Sequence, residues 1–472
     1  MKKIIITLMT CCFITSVFAN NITVAGSSLS NQNTANHTIE INFDVAWENS
    51  WRTYNNDSNY DGAWIFVKFR KNGTTGEFSH CHVSDLTSAA NATLTTPSDS
   101  MGVFIYSSSV TNYFGNPNYT GNKLIWNYGA DSVTDNDSVE IRVFAVEMVY
   151  IPTGSYWLGS IGGNEVNPFH DGNSTLPYHV MNGGPIDIGP ASGQLYSALT
   201  IGNTQIPNTF PNGYNAFWIM KYECTQQQYS DFLNSIEGAQ ATILLNDGGG
   251  SFNFSSTWPN FSPLYPERAN NIVNIPEACA FADWAGMRAM SELEFEKACR
   301  GVNIYPVSNE YAWGNTTLVN LQSVLNAGLS NESVNAPSNA NSNTRITSPY
   351  YGSPTRAGIF ARDTSTRVLS GATYYGVMNM SDNLYEFVIY AGNTNGQNIN
   401  ALTHGDGRLS PAGYSNEPTW ILSAFGYRGG CFQTGGPFTN AADAKVSDRA
   451  RANTTNTAYS LHKGIRLART AP

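Results

Sequence analysis

The chain has 472 residues, of which 41% are hydrophobic and 12% aromatic, enough to form packed cores and too many for a disordered chain. Charged residues make up only 13%, about half the share typical of soluble domains, and the formal net charge is −10. An acidic chain with few cations lacks the basic face that nucleic-acid binding and anionic-membrane binding require, so both partner classes are excluded.

Residues 1–19 have the pattern of a secretory signal peptide. Lys2 and Lys3 precede an apolar stretch that is too short to span a bilayer comfortably, and Ala19 lies at the −1 position of a cleavage site. We predict cleavage near Ala19 and an exported protein in the periplasm, outside the cell or at the cell surface. The alternative is a buried N-terminal strand. No later stretch is long and apolar enough to predict a membrane span.

Five cysteines follow the predicted signal peptide, an odd number, so at least one stays a thiol. None belongs to a CxxC pair, which leaves a zinc or redox motif without support. On a strand, His80 and His82 point to one face and the thiol between them to the other, which argues against a metal site there. The sequence does not indicate which of the five cysteines pair in disulfides. The five are Cys81, Cys224, Cys279, Cys299 and Cys431.

Residues 20–146 show the pattern of β-strands. From Ile39 to Trp47, apolar residues occupy every second position, which is the period of a half-buried strand. A near-continuous apolar run follows at 63–69, and further strand patterns lie at 102–106, 123–128 and 139–146. Turn-forming residues separate these segments, and no helical period appears. We predict an immunoglobulin-like β-sandwich over 20–146.

Residues 147–472 combine glycine-rich loops with predicted helices. Thr225 and Gln228 form a capping box in front of an amphipathic pattern, and a second helix is predicted from about Pro276 to Gly286. A third begins with a capping box at Ser291 and ends at Gly301.

The third predicted helix carries three acidic residues, Glu292, Glu294 and Glu296. Glu294 completes the capping box with Ser291. We interpret the three acids as a cap and a solvated face, since charged residues are seldom buried unless they are paired. No arrangement of paired catalytic carboxylates, Ser-His-Asp residues or phosphate-binding glycines is evident.

A series of segments in 147–469 resembles the formylglycine-generating enzyme superfamily, also called sulfatase-modifying factor domains. The resemblance implies an α+β fold with a C-type-lectin-like domain of the formylglycine-generating enzyme type at 147–472, after the N-terminal all-β sandwich. The segments are EMVYIPTGSYWLGS from Glu147, FWIMKYECTQQQYSDFL from Phe217, WAGMR from Trp284, SELEFEKACRG from Ser291, YAWGN from Tyr311, NMSDNLYEF from Asn379, RGG from Arg428 and GIRLA from Gly464.

The resemblance also implies which residues the family's chemistry needs. The family enzyme uses two cysteines that bind Cu(I) and activate oxygen, because soft thiolates select Cu(I). The matching positions here are Thr434 and Thr439, and a hydroxyl is a poor Cu(I) ligand. Cys431 stands where the family usually has Ser, and no second cysteine follows it. We expect no copper. A secreted formylglycine-generating-type oxidoreductase acting on a peptide cysteine remains the alternative.

Two other proteins with this fold suggest further alternatives. An ergothioneine-pathway sulfoxide synthase takes iron ligands from histidines of a helical domain, but the region before 147 is predicted to be all-β and no HxxxH pair occurs. Diversified proteins of retroelement systems vary the segment between the RGG and the closing strand. The residues that would fit such variation are Asn440, Asn453, Thr454, Thr455, Asn456 and Thr457.

The resemblance implies structural Ca²⁺. The family's loop binds the ion through an Asn side chain, two main-chain carbonyls and a Glu carboxylate, oxygen ligands that suit a hard cation. The alternative is a cation-free turn in which Glu386 pairs with an arginine. A bound cation would also help to order the long loops at 300–375 and 391–420. The matching positions are Asn379, Asp382, Leu384 and Glu386, with a second site near Asn315 and Asn326.

The functional prediction is an exported, non-catalytic surface protein for binding or assembly. The chain contains 25 Tyr and 10 Trp residues and is rich in Asn, which suits recognition by ring stacking and amide hydrogen bonds. The predicted partners are a protein or a glycan at the cell surface, or further copies of the same chain.

Overall fold

The computed structural model describes residues 21–54, 58–74, 76–199, 202–245, 252–253, 257–271, 273–345, 351–362, 365–432, 441–455 and 460–472. The predicted signal peptide lies outside these residues, as do Thr434 and Thr439. The fold is α+β and rich in strands, as predicted from the sequence. Within the described part of the chain, no helix has the length and apolar character needed to cross a bilayer.

The first part of the chain folds into strands alone, within the described residues, as the two-residue period predicted. The strands are β1 (Thr23–Asn33), β2 (Thr38–Ala46), β3 (Ser50–Arg52), β4 (Tyr60–Lys71), β5 (Ser79–His80), β6 (Val83–Thr87), β7 (Ala92–Thr95), β8 (Val103–Ser107), β9 (Tyr113–Gly115), β10 (Asn118–Trp126) and the long β11 (Val139–Ile151).

The second part mixes short strands with helices. Its strands are β12 (Tyr156–Leu158), β13 (His170–Asp171), β14 (Tyr178–Val180), β15 (Ile186–Asp187), β16 (Leu195–Tyr196), β17 (Gln205–Ile206), β18 (Phe217–Met220), β19 (Phe252–Asn253), β20 (Ser262–Pro263), β21 (Arg288–Ala289), β22 (Ser323–Leu325), β23 (Ser333–Ala336), β24 (Tyr385–Ile389), β25 (Phe425–Arg428), β26 (Lys463–Gly464) and β27 (Leu467–Thr470). Its helices are α1 (Gln226–Leu233), α2 (Gly238–Leu244), α3 (Ile275–Trp284), α4 (Glu292–Arg300), α5 (Arg367–Ser370) and α6 (Thr394–Gln397), with 3₁₀ turns at Leu422–Ala424 and Ala441–Ala444.

The three predicted helices are present, and the two with predicted capping boxes begin where those boxes predict. Thr225 accepts a hydrogen bond from the Gln228 amide, and Gln228 reaches back to the Thr225 amide, which completes the capping box of α1. Ser291 and Glu294 do the same for α4. Gly301 ends α4 with φ +94°, a backbone conformation that favours glycine.

The β-sandwich consists of two sheets packed face to face. One sheet has the strand order β1-β2-β10-β6, and the other contains β4, β8 and β7. The alternating residues Ile41, Phe43 and Val45 of β2 point inward as predicted and are buried, as is Trp47 just after the strand. They pack with β4 and β10 residues in one core.

The second sheet of the sandwich continues into the remainder of the molecule. Its strand order is β21-β27-β18-β11-β4-β3-β9, with β5 and β8 also paired to β4 and β7 paired to β8. Strand β11 pairs with β4 along 139–150 and with β18 along 148–151. One strand therefore crosses the predicted boundary at 146–147, and the division into 20–146 and 147–472 stays a prediction.

Strand β4 is buried on both faces, which explains its nearly uninterrupted apolar sequence. Ala63, Ile65 and Val67 face the core of the sandwich, whereas Trp64 and Phe66 pack into the large core formed with α1 and α3. The indole Nε1 of Trp64 donates to the main-chain oxygen of Ala285 at 2.9 Å. The sandwich and the remainder thus share one sheet and one apolar core.

Candidate functional site

Glu294 completes the capping box as predicted, but the three acids of α4 are buried, so the predicted solvated face was wrong. Glu292 and Glu296 are fully buried and lie between arginines from distant parts of the chain. The Glu292 carboxylate accepts from Arg428 Nη1 at 2.9 Å and Arg449 Nε at 2.8 Å. The Glu296 carboxylate accepts from Arg428 Nη2 at 2.8 Å and Arg300 Nη1 at 2.6 Å. These two glutamates and three arginines are called the arginine-paired cluster below.

The charges of the arginine-paired cluster balance once Glu310, which also pairs with Arg300, is included, because three arginines then face three carboxylates. Burial alone would raise the pKa of Glu292, but Arg449 and Arg428 outweigh it and lower that pKa. Burial is likewise outweighed by Arg300 and Arg428 at Glu296, whose pKa is also lowered. Both acids therefore stay ionised and hold α4 to the C-terminal part of the fold. They have the geometry of structural ion pairs.

A second group of buried acids surrounds the loop for which Ca²⁺ is predicted. Glu386 lies on β24, and its Oε1 accepts from Arg466 Nε at 2.6 Å. This is the contact that the cation-free alternative requires. The other oxygen, Oε2, is buried and has no hydrogen-bond partner among the described residues. Only one of the two carboxylate oxygens of Glu386 therefore accepts a hydrogen bond within the described residues.

The loop itself is shaped by two asparagines and an aspartate. Asn379 and Asn383 have φ of +62° and +64°, a left-handed conformation that asparagine tolerates better than most residues. Asp382 Oδ2 accepts from the Asn343 amide at 2.7 Å, and Asn379 Nδ2 donates to Asp382 Oδ1 at 3.2 Å. Leu384, buried in the same loop, donates its amide to a further acid.

That further acid is Glu223, which sequence reasoning missed. Its Oε1 accepts from the Leu384 amide at 3.0 Å and its Oε2 from Asn383 Nδ2 at 2.5 Å. Glu223, Asn379, Asp382, Glu386 and Arg466 are called the acid-rich loop cluster below. It contains three carboxyl groups and one guanidinium.

Burial raises the pKa values of the three acids, and a single guanidinium does not reverse the effect. Burial raises the pKa of Glu386 to about 7 although Arg466 opposes it, and burial raises the pKa of Asp382 to about 6. Burial also raises the pKa of Glu223 well above its ordinary value, and the neighbouring Glu386 adds to that shift. Protons or a bound cation would compensate the excess negative charge.

The acid-rich loop cluster fits a hard cation in part. Its possible metal ligands are oxygens, and Glu386 Oε2, which accepts no hydrogen bond from the described residues, could coordinate a cation. The side-chain oxygens of Asn379 and Asp382, in contrast, already accept hydrogen bonds. No group of three or more acidic, histidine or cysteine side chains converges as metal ligands in the described part of the chain. Calcium at this loop stays a prediction.

The residues of the second predicted calcium site lie in separate turns. Asn315 follows the buried Trp313, and its Oδ1 accepts from the Thr317 amide at 2.9 Å. Asn326 lies exposed in the turn between β22 and β23, where its Nδ2 donates to the Asn331 oxygen at 3.4 Å. Each side chain is engaged by its own turn, and this site also stays a prediction.

Cys431 lies directly after the RGG segment and is buried with 6% exposure, in the same core as Tyr385. The other four cysteines are buried too, and none of the five forms a disulfide. Of the positions that would fit sequence diversification, Asn453 and Thr455 are exposed and Thr454 is half-buried, whereas Asn440, Asn456 and Thr457 lie outside the described residues.

His80 and His82 do not form a metal site with the cysteine between them. His80 is buried against Met101, whose main-chain oxygen lies 2.5 Å from its Nε2, and His82 pairs with Asp131. Cys81 points into the core of the sandwich.

Comparison with family models supports the resemblance that the series of segments in 147–469 indicated. No curated protein matches the chain. The family model described as the sulfatase-modifying factor enzyme 1-like domain matches residues 145–471, about two thirds of the chain. This range begins within β11 and ends at the last residue but one. The chain therefore belongs to the formylglycine-generating enzyme, or sulfatase-modifying factor, family.

Proposed function

We propose that the protein is an exported, non-catalytic member of this family that binds a protein or glycan at the cell surface or assembles with further copies of itself. The observation that carries the proposal is the single cysteine of the closing segment. Between Cys431 and Gly464 the chain has no second cysteine, so the paired thiolates that Cu(I) oxidation requires cannot form there.

The buried charges support a structural use of the family scaffold. The arginine-paired cluster fixes α4 against β25 and against the segment around Arg449 with charge-assisted hydrogen bonds. A continuous sheet joins this scaffold to the sandwich. A rigid body of this kind suits the presentation of a surface.

We also propose that Ca²⁺ binds at the acid-rich loop cluster as a structural ion. Glu386 would hold it with the oxygen that has no hydrogen-bond partner, together with Asn379 and the main-chain oxygens of Asp382 and Leu384. The ion would supply the positive charge that Arg466 alone does not provide. The raised pKa of Glu386 supports this, since a bound cation would favour its ionised form.

The proposal of a non-catalytic protein is tested with a peptide substrate. The purified protein is incubated with Cu(I), oxygen and a cysteine-containing peptide, and the peptide mass is followed over time. The matched control is Cys431→Ser. We expect no conversion by either protein. Loss of the peptide thiol in the wild type but not in Cys431→Ser would contradict the proposal and favour the oxidoreductase.

Export is tested separately. Expression of the full chain with N-terminal sequencing of the product should give a first residue at Asn20. Recovery of the uncleaved chain in the cytoplasmic fraction of a secreting host would contradict it.

A further inference from the structure

A cavity lies at the junction of the sandwich and the family domain. It has a volume of about 310 Å³, at the lower end of the range for small-molecule sites. Trp51 and Asn59 line it from the sandwich, and Lys221, Thr373 and Tyr374 line it from the other side. Because the sandwich is outside the matched residues 145–471, the cavity combines family and non-family residues.

One wall of the cavity is a fixed aromatic ring. Trp51 is half-buried, and Gly376 lies so close that a Cβ there would be 2.7 Å from the indole ring. Gly376 has φ +89°, so both its backbone and this contact favour glycine. The ring therefore has little freedom, and a ligand that stacks on it would lose little side-chain entropy.

The aromatic surface continues out of the cavity. Trp51 on β3 is directly opposite Phe114 on β9, and opposite residues of an antiparallel pair have their side chains on the same face. Phe114 is 71% exposed. A chain-like ligand that occupies the cavity can therefore extend over a second ring.

The charged groups of the cavity are already engaged within the protein. Lys221 Nζ lies 3.0 Å from a carboxylate oxygen of Asp61 and 3.0 Å from one of Glu147. Arg367 donates to the main-chain oxygens of Cys299 at 3.0 Å and Ala312 at 2.8 Å. The cavity does not need a charged ligand to balance these cations.

The polar groups that remain are neutral. Asn59 donates through Nδ2 to the Tyr375 oxygen at 3.0 Å, but its Oδ1 is buried and has no hydrogen-bond partner among the described residues. Asn49 is exposed at the rim of the cavity. An amide acceptor without a donor is the complement of a hydroxyl group.

We infer that this cavity binds a neutral saccharide, one sugar ring in the cavity and the next over Phe114. A sugar ring presents C–H groups on one face, which pack on an aromatic ring, and hydroxyl groups at its edge, which donate to amide oxygens. Trp51 supplies the ring, and Asn49 and Asn59 supply the amides. The inference rests on the proposed binding function and names its ligand class and site.

The test uses the full chain after export and isothermal titration calorimetry with three neutral tetrasaccharides, made of β1,4-linked glucose, β1,4-linked N-acetylglucosamine and α-linked mannose. We expect at least one to bind with a dissociation constant below about 1 mM. Trp51→Ala should weaken that binding by about tenfold or more. Tyr305→Ala, which truncates an aromatic residue that is 46% exposed and outside the cavity, should leave it unchanged.

Asn49→Gly keeps the test decisive if Trp51→Ala fails to fold. Asn49 has φ +55°, which glycine adopts freely, so the variant removes the amide without straining the backbone. We expect a several-fold loss of affinity with an unchanged thermal midpoint. Two results would overturn the inference: no tetrasaccharide binds the wild type, whether or not a tryptophan-containing tetrapeptide does, or binding survives both Trp51→Ala and Asn49→Gly. Neither result bears on the proposal of a non-catalytic protein, which the peptide-thiol assay tests separately.

Discussion

The two buried clusters contain the same types of side chain, carboxylates and guanidinium groups, but the pKa values of their acids are shifted in opposite directions. In the arginine-paired cluster, Glu292 and Glu296 share three arginines, and their pKa values are lowered. In the acid-rich loop cluster, three carboxyl groups share Arg466, and burial raises their pKa values. Burial is equally complete in both, so the difference lies in the number of cations.

The comparison indicates what each cluster can do. A balanced set of buried charges is strongly destabilised when one partner is removed, but it gains nothing from protons or ions. An unbalanced set responds to both, because each added positive charge relieves repulsion among the acids. The arginine-paired cluster is therefore suited to stabilise the fold, whereas the stability contributed by the acid-rich loop cluster should depend on calcium and on pH.

The largest expected effect is on the balanced cluster. Arg428→Met removes the guanidinium that both glutamates share and leaves buried charge without full compensation. We expect the free energy of unfolding, measured with denaturant, to fall by about 3–5 kcal/mol. The control Lys71→Met breaks a solvent-screened pair with Asp137 and should change this free energy far less. An equal loss of unfolding free energy in Arg428→Met and Lys71→Met would contradict a stabilising role of the arginine-paired cluster.

Calcium should act on the unbalanced cluster. At a concentration about 100-fold above its dissociation constant, Ca²⁺ should raise the free energy of unfolding by about 2.7 kcal/mol. Glu386→Gln removes the carboxylate that has an unsatisfied oxygen and should abolish most of this gain. Thermal unfolding with and without chelator measures both. An equal calcium shift in the wild type and the variant would place the ion elsewhere.

Without calcium, pH should distinguish the clusters. The pKa of Glu386 is about 7 in the folded state against an ordinary glutamate value of 4.5, so the folded state binds more protons between these values. The contribution of Glu386 to stability is therefore full below pH 4.5 and is lost as pH rises through 7. Relative to Glu386→Gln, the wild type should lose up to about 3 kcal/mol between pH 4.5 and 7.5.

The comparison with Glu386→Gln at each pH removes the contribution of other titrating groups. Glu292 and Glu296 act in the opposite sense, since lowered pKa values give stability that is lost as pH falls below the ordinary range. A difference between wild type and variant that does not change with pH would contradict the raised pKa of Glu386.

The smallest expected effect concerns Asp382, whose pKa is also raised by burial. Asp382→Asn keeps the shape of the loop and removes one of the three acids. Because Asp382 raises the pKa of Glu386, the variant should show its pH-dependent loss at lower pH. The free energy of unfolding at pH 7.5 should change by less than about 1 kcal/mol. An unchanged profile would show that the acids do not interact.

Local signals in the sequence predicted much of the fold. The capping boxes at Thr225 and Ser291 depend on residues three positions apart, and the alternation in β2 depends on one strand, so both can be read from short windows. The resemblance of the ordered segments then predicted the family of residues 147–469, and the family model over 145–471 confirms that family.

The burial of the α4 acids could not be predicted in this way. Arg428 and Arg449 lie 136 and 157 positions from Glu292, and nothing in the local sequence of α4 indicates that they meet it. Glu223 was missed for the same reason, since it contacts the loop 160 positions later through Asn383. Only the fold shows which acids have enough cations.

Strand β11 also has a practical consequence for anyone who divides this chain. A cut at residue 146 would fall inside the strand, leaving its first half with β4 and its second half with β18. Either fragment would expose unpaired main-chain groups and the apolar side of Trp64 or Trp218, the features that cause edge-to-edge aggregation. Shortened versions for crystallisation or display should therefore keep both partners of this strand.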